Sequence, residues 1–219
     1  MNYSIIIPVH NEVGMLRQLL NELEPFSKEN DIIIVDDGSS DGSEEILSAC
    51  DFIQYLRINK NSGKGNAICK GIQHATQEYI ILFDGDLELK TIDLSKLMII
   101  DPPTVQVVFG YRVENMGTFT SVMNFGNFFL NGLFNFVNQS RYHDILCGSK
   151  AFQRSILDLN KIQSTSFDID VELGGYFAKQ KNLTIKEVPM HYNRRNHIEG
   201  KKLKISDGWA ILSRIFNTK

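Results

Sequence analysis

Short apolar runs alternate along the first half of the chain with segments of helical periodicity. The runs at 3–9, 31–35 and 79–83 place apolar residues on both alternating faces. Such runs are typical of strands that are covered on both sides. Three further strands are predicted at 52–58, 105–109 and 183–188.

Helices are predicted in the intervals between these strands. Apolar residues recur three and four positions apart within 16–23 and within 67–75. Strands that alternate with helices at this spacing indicate an α/β fold, with a mostly parallel sheet flanked by helices. The second half is less regular, with helices predicted over about 119–138, 168–179 and 206–216.

Composition is that of an ordinary globular protein. With 219 residues, 42% of them apolar and 22% charged, the chain is expected to form a single domain. The net charge of −3 argues against general nucleic-acid binding. Cys50, Cys69 and Cys147 lack metal-site spacing, which favours reduced thiols and a cytoplasmic location. No run is long and apolar enough to span a bilayer, and the early first strand predicts no signal peptide.

Two acids follow the apolar run at 79–83. Asp84 and Asp86 flank Gly85, and carboxylates this close repel each other unless a cation lies between them. A divalent ion held by one or two carboxylates and by substrate phosphates would resolve the repulsion. The carboxyl end of a strand is also where open α/β sheets bind ligands. The alternative is a solvated turn, because the Asp-x-Asp pattern is common.

Two further turns carry candidate binding residues. The acids of the turn 36–39 would accept hydrogen bonds from a nucleobase or ribose, or else they cap the turn itself. The segment 61–65, Asn-Ser-Gly-Lys-Gly, has the composition of a phosphate loop without the Walker A spacing. The alternative is a tight turn that exposes Lys64.

Charged residues in the second half leave similar alternatives. Arg112, after the predicted strand at 105–109, would bind a pyrophosphate or lie at the surface. The acids at 168, 170 and 172 either complement a helix dipole or place Asp170 near an acceptor. The basic residues at 194–202 would form a lid over a diphosphate, a patch for anionic lipid, or a solvated loop.

Taken in order, these motifs resemble those of the family 2 glycosyltransferases, whose fold is named GT-A. The matching segments are 7–12, 35–41, 61–67, 84–88 and 110–112. Several later segments resemble the polyprenyl- and dolichyl-phosphate sugar synthases within that family: 144–152, 170–173, 187–189, 192–195 and 199–202. The resemblance covers nearly the whole chain and implies a nucleotide-sugar-binding half at 1–112 and an acceptor-binding half at 113–219.

The resemblance also implies roles for individual residues. The residues it assigns to the nucleotide sugar are Pro8, Glu12, Asp37, Lys64, Asp84, Arg112, Arg195 and Lys202. Asp84, Asp86 and Glu88 would bind Mg²⁺ or Mn²⁺, with Asp86 the favoured direct ligand. Glu88 departs from the glutamine that is frequent in the lipid-phosphate synthases.

The implied activity is inverting transfer of a sugar from a nucleotide-diphosphate sugar. The metal ion held by Asp86, together with Arg112, would stabilise the departing diphosphate. The expected acceptor is a polyprenyl phosphate, which needs no general base, whereas a glycan hydroxyl would need one, for which Asp170 is the first candidate. A non-catalytic nucleotide-sugar-binding protein and a nucleotidyltransferase are the rival readings. The nucleotidyltransferase interpretation is disfavoured, because this chain lacks the glycine-rich basic loop that such an enzyme is expected to carry after its first strand.

The predicted helix at 119–138 bears on the acceptor. Its six phenylalanines would lie in a membrane interface and bring a peripheral enzyme to a lipid carrier. Its polar side carries asparagine rather than the usual lysine or arginine. Packing against the sheet or against a second copy of the chain, as a homodimer, is the alternative.

Overall fold

A computed structural model describes residues 1–114, 122–193 and 205–217. The strands are β1 (Tyr3–Val9), β2 (Asp31–Asp37), β3 (Gln54–Ile58), β4 (Tyr79–Leu82), β5 (Val107–Glu114), β6 (Lys150–Gln153) and β7 (Ile185–Tyr192). The α-helices are α1 (Val13–Leu23), α2 (Ser43–Ser48), α3 (Lys64–His74), α4 (Leu94–Leu97), α5 (Val122–Asn138), α6 (Ile169–Ala178) and α7 (Ile205–Asn217).

The described strands form one sheet in the order β3-β2-β1-β4-β6-β5-β7. The neighbouring pairs are parallel, except that β6 runs antiparallel to both β4 and β5. The predicted mostly parallel sheet is therefore confirmed. Strand β6 was not predicted, because it has four residues and carries a buried lysine, Lys150.

Hydrophobic packing covers both faces of the sheet. On one face, Ile5 and Ile7 of β1 pack in a core cluster with Leu16 of α1. On the other face, Ile6 packs in a second cluster with Ile68 of α3. A strand buried on both sides needs apolar residues at every position, which explains the uninterrupted run in β1.

Parallel strands bring their carboxyl ends to one edge of the sheet. The turns after β1, β2 and β4 lie at this edge, and Arg112 lies near the end of β5. Helices α6 and α7 pack against each other, and α7 also packs against α5. Over the residues that the structure describes, no helix has both the length and the hydropathy to cross a bilayer.

Candidate functional site

A cleft of about 580 Å³ opens at the carboxyl edge of the sheet. Its lining combines acidic, basic and apolar side chains from both halves of the chain. The predicted site residues that line it are Pro8, Glu12, Asp37, Lys64, Asp84, Asp86, Glu88, Arg112 and Asp170. Arg195 and Lys202, also predicted, lie outside the described residues.

The two acids that end β2 hold neighbouring backbone in place. Asp36 is fully buried, accepts from the Ser39 amide at 2.8 Å and pairs with Arg57 at 3.1 Å. Asp37 accepts the Ser62 and Gly63 amides at 2.8 and 2.7 Å. Asp36 therefore serves as a capping residue, whereas Asp37 both shapes the next loop and lines the cleft.

The glycine-rich segment 61–65 packs tightly against the segment that precedes α6. The Thr165 carbonyl accepts the Gly65 amide at 3.0 Å and the Asn66 amide at 3.4 Å. Gly63 has a φ of +97°, and a Cβ at Gly63 would overlap that same carbonyl. These contacts occupy the amides that a phosphate loop would present to an anion. The geometry therefore favours a tight turn for this segment. The expectation that such a turn exposes Lys64 is wrong, because its side chain is only 11% exposed.

Lys64 lies between two acids that come from opposite halves of the chain. Its Nζ is 2.7 Å from Asp84 Oδ1 and 2.9 Å from Asp170 Oδ2. Burial alone would lower the pKa of Lys64, but attraction to Asp170 and Asp84 outweighs it and holds the pKa above its ordinary value. Lys64 is therefore protonated at neutral pH and supplies the positive charge that two close carboxylates need.

Gly148 closes this ion-pair cluster from one side. A Cβ at Gly148 would overlap Asp84 Oδ2 and would lie 2.8 Å from Lys64 Nζ. Only glycine fits against the paired acid and lysine without displacing them. The loop that contains Gly148 also contributes Leu146 and Cys147 to the cleft lining.

The second acid of the Asp-Gly-Asp motif lies beside Glu88. Asp86 Oδ1 accepts the Glu88 amide at 3.1 Å, and the Tyr192 hydroxyl donates to Glu88 Oε2 at 2.9 Å. Leu87 between them has a φ of +57°, an uncommon conformation for a bulky residue. Such strain is concentrated at functional sites, because the surrounding structure must hold it in place.

A divalent cation in the cleft would need oxygen ligands from its acidic side chains. Among the described residues, no group of three or more His, Cys, Asp or Glu side chains is placed to hold a metal ion. This differs from the predicted set of three carboxylates, because Asp84 is engaged by Lys64. Asp86 and Glu88 remain in the cleft, and Mg²⁺ is usually bound by one or two carboxylates together with substrate phosphates. The residues therefore fit such an ion when a diphosphate completes its ligands.

Arg112 is fixed on the other side of the cleft by Asp144. Its Nε and Nη2 atoms donate to the two carboxylate oxygens at 2.6 and 2.9 Å. Its guanidinium also lies 5.4 Å from the centroid of the Tyr192 ring. Burial would lower the pKa of Arg112, but Asp144 raises it further above its ordinary value. A planar guanidinium held in this way is oriented before any anion arrives.

Sequence reasoning assigned no role to three residues that organise the cleft. Asp144, Lys150 and Tyr192 lay within the segments that carried the family resemblance. Lys150 is buried, and its ammonium donates to the carbonyls of Ile145 and Cys147. Burial lowers its pKa. A lysine followed by only two apolar residues, Ala151 and Phe152, gives no sign that it lies in the sheet, so only the fold identifies it.

Helix α5 uses its asparagine side to hold the loop that follows it. Asn131 donates to the carbonyls of Tyr142 and His143 at 3.0 Å and accepts the Ile145 amide at 2.9 Å. Asn135 also donates to the Tyr142 carbonyl, at 2.8 Å. Asn131 and Asn135 therefore face protein. Asn127, one turn earlier on the helix, lines the cleft together with Ile211 of α7.

Sequence comparisons relate this chain to known proteins. The sequence model described as glycosyl transferase family 2 matches residues 4–159. The chain is 28% identical over 218 residues to the glycosyltransferase AglJ of Haloferax volcanii, spanning 97% of this chain and 70% of AglJ. It is 29% identical over 209 residues to the undecaprenyl-phosphate 4-deoxy-4-formamido-L-arabinose transferase of Enterobacter sp. (strain 638), spanning 90% of this chain and 62% of that protein.

Solved structures give the same fold. Glucosyl-3-phosphoglycerate synthase from Mycobacterium tuberculosis, crystallised with Mn²⁺, UDP and glucosyl-3-phosphoglycerate, has a TM-score of 0.78 and 14% identity over 99% of this chain and 79% of its own. The same enzyme with Mg²⁺ and UDP has a TM-score of 0.74 and 15% identity over the same shares of the two chains. At this identity the likeness shows the fold alone, and it confirms the predicted GT-A class.

Proposed function

Because the chain belongs to glycosyl transferase family 2, we propose that it is an inverting, metal-dependent enzyme that transfers a sugar from a nucleotide-diphosphate sugar to a polyprenyl phosphate. The observation that carries the proposal is the cleft itself. It gathers Asp86, Glu88, Lys64 and Arg112 at one end of the sheet and has apolar residues from the second half in its wall. One relative is named as a transferase that acts on undecaprenyl phosphate, which supports the acceptor class.

The donor would occupy the part of the cleft formed by residues 1–112. Pro8, Glu12 and Asp37 would line the nucleoside pocket, with Asp37 acting through the loop that it holds. The phosphates would lie near Lys64 and Arg112, and the basic residues Arg195 and Lys202 belong to the same proposal. Residues 113–219 would bind the acceptor, although β6 of this half is an inner strand of the shared sheet.

Charge stabilisation is the main catalytic effect in this proposal. Asp86 and Glu88 would hold Mg²⁺ or Mn²⁺, which supplies Lewis-acid neutralisation of the departing diphosphate when it is bound. Lys64 and Arg112 are already fixed by carboxylate partners, so little reorganisation is needed when negative charge develops. A phosphate acceptor is an anion at neutral pH and attacks without a general base.

The direct test is a transfer assay with a panel of nucleotide sugars and a polyprenyl phosphate in the presence of Mn²⁺. Release of nucleoside diphosphate that depends on the lipid phosphate, together with a glycolipid product of inverted anomeric configuration, is expected. Release that depends instead on a glycan acceptor would overturn the proposed acceptor. Binding of a nucleotide sugar without any turnover would favour a non-catalytic protein.

A glycan hydroxyl acceptor is the second candidate, and one observation favours it. Asp170 Oδ1 is buried in the cleft wall and has no hydrogen-bond partner among the described residues. A general base would present such an atom to a hydroxyl. The other oxygen, Oδ2, is bound by Lys64. With a phosphate acceptor, the role of Asp170 is to hold that lysine in place.

The Asp170→Asn variant separates these two acceptors. A general base contributes about 10²- to 10⁴-fold to the rate, so its loss would reduce transfer to a hydroxyl by that amount. We expect activity with polyprenyl phosphate to fall by less than about tenfold, because no proton must be removed from a phosphate. Initial rates measure this, with Asp51→Asn, which removes an exposed carboxylate, as the control. A loss of several orders of magnitude in a folded Asp170→Asn protein would favour the hydroxyl acceptor.

The same proposal places the chain peripherally on the cytoplasmic face of a membrane. Large apolar side chains are exposed on α5 and α7, including Phe128 at 78%, Phe136 at 82% and Trp209 at 71%. Both helices also line the cleft, through Asn127 and Ile211, so a membrane there would lie beside the acceptor path. The lack of basic residues on the asparagine side is no objection, because that side binds the loop 139–146.

Flotation with vesicles of anionic phospholipid and polyprenyl phosphate tests this placement. We expect the wild-type protein to float with the vesicles and the Phe128→Ser/Phe136→Ser/Trp209→Ser variant to remain below, because apolar area drives interfacial binding. Ile92→Ser, which removes an exposed apolar residue from another region, should float normally. If the wild-type protein does not float and light scattering gives the molar mass of a dimer, a second copy of the chain covers these residues instead.

A further inference from the structure

The C-terminal helix α7 is joined to the start of α6 by one arginine. Arg214 Nε lies 2.8 Å from Asp168 Oδ2, and its Nη1 lies 3.0 Å from Glu172 Oε1. Asp168 and Glu172 are both buried and lie one helical turn apart, so they share a face of α6 and would repel each other without a cation. Asp170 lies about 200° round the helix from that face and lines the cleft instead.

The same two acids hold the segment that leads into α6. Asp168 Oδ1 accepts the Ser164 hydroxyl at 2.5 Å. Glu172 Oε2 accepts the Ser164 amide at 2.7 Å and the Gln163 amide at 3.1 Å. Asp168 therefore uses one oxygen for Arg214 and the other for this segment. Glu172 gives Oε2 to the segment alone, while its Oε1 accepts both from Arg214 and from the Gln163 amide, at 3.1 Å. Loss of the arginine would free both carboxylates to rotate, and the segment would lose its fixed attachment.

The segment passes this restraint on to the start of α3. The Thr165 carbonyl accepts the Gly65 amide at 3.0 Å, and Gly63 approaches the same carbonyl too closely for any side chain. Lys64, between these glycines, is the residue that pairs with Asp84 and Asp170. A continuous series of direct contacts thus runs from α7 to the ion-pair cluster in the cleft.

We infer that Arg214 is a positioning residue for the proposed transfer reaction. Within the described part of the chain, its polar contacts are to Asp168 and Glu172 and to no predicted substrate-binding residue. Arg214 holds the segment 163–168 against the start of α3. This contact fixes Lys64 between Asp84 and Asp170. The position of the positive charge near the donor phosphates is set as a result. The kinetic part of this inference rests on the proposed function, whereas the structural part does not.

Hydrogen exchange and transfer kinetics of Arg214→Met test the inference together. Amides at 63–66 and 163–168 are expected to exchange at least about tenfold faster than in the wild-type protein, while those of β1 and β2 stay protected. KM for the nucleotide sugar is expected to rise by about tenfold, and Arg214→Lys, which keeps the charge but loses the planar fork, should recover part of both effects.

Arg154→Met is the matched control, because Arg154 donates to the Ala75 carbonyl just beyond the opposite end of α3. It should leave exchange at 63–66 and KM unchanged. Unaltered exchange at 63–66 and unaltered KM in Arg214→Met, with only a lower melting temperature, would overturn the inference. If no transfer is found with any donor, the exchange result still decides it. If Arg214→Met does not fold, Ser164→Ala removes the hydroxyl link to Asp168 and keeps the amide links to Glu172, so it must give smaller changes of the same kind.

Discussion

The Asp86→Asn protein is expected to fold normally and to lose about three orders of magnitude or more in kcat/KM for sugar transfer. The amide has the same size as the carboxylate but lacks the charge that a hard divalent cation requires. Asp86 lies in the cleft next to Glu88, and in our proposal these two provide the protein ligands of the ion. Initial rates of nucleoside diphosphate release across a Mn²⁺ titration measure the effect.

Binding measurements separate a loss of metal from a general loss of activity. Mn²⁺ with UDP or GDP should raise the melting temperature of the wild-type protein, because a ligand that binds only the native state stabilises it. The Asp86→Asn protein should show little of this shift, whereas the exposed Asp51→Asn control should match the wild type in both assays. An Asp86→Asn protein with an unchanged Mn²⁺ response would rule out Asp86 as a ligand.

The Lys64→Met protein is expected to lose roughly 3 to 5 kcal/mol in the free energy of unfolding at pH 7, because removing one partner leaves uncompensated buried charge. Two partners are stranded here, Asp84 and Asp170, both within 2.9 Å of the ammonium. Without a cation between them, these two carboxylates repel each other in the folded variant, and protonation of one of them relieves the repulsion. The folded variant then binds more protons than the unfolded chain, so its deficit should shrink as pH falls from 7 towards 5. Urea unfolding at several pH values measures both effects.

Two further variants test whether the effect of Lys64→Met comes from the loss of its ion pairs. Lys70→Met removes a lysine from the same helix, α3, whose ammonium donates to the Arg57 carbonyl at 2.7 Å rather than to an acid. Its cost should be about 1 kcal/mol, with no dependence on pH in this range. Lys64→Met/Asp170→Asn should be more stable than Lys64→Met, since one stranded charge is gone. A deficit of Lys64→Met that is independent of pH would contradict the ion-pair account.

The regular part of the fold was predictable because local pattern determines it. Strands β1, β2 and β4 are apolar on both faces, and the predicted runs at 3–9, 31–35 and 79–83 match them within two residues. The prediction at 105–109 was displaced, since β5 spans Val107–Glu114 and its residues 111–113 are no longer fully buried. Strand β6 was missed because its central place in the sheet is set by its partners in β4 and β5 and not by its own sequence.

The sequence was sufficient to predict a cleft at the carboxyl edge of the sheet, but not the ion pairs within it. The acids after β2 and β4 were expected at one edge of the sheet, and the structure places Asp37, Asp84 and Asp86 in a common cleft. Lys64 and Asp170, however, lie 106 residues apart, and no local pattern reports a contact over that separation. The same holds for Arg112 and Asp144, which are 32 residues apart. Long-range ion pairs therefore limited what sequence could say about the chemistry.

The antiparallel strand β6 has a consequence for how this protein is made. It inserts between β4 and β5, although both precede it in the chain. During synthesis, β4 and β5 therefore lack the strand that pairs with both of them until Lys150–Gln153 leaves the ribosome. Exposed strand edges are prone to pairing with other chains, so a fragment that ends near residue 112 should aggregate when expressed by itself. The proposed halves 1–112 and 113–219 are therefore not expected to fold separately.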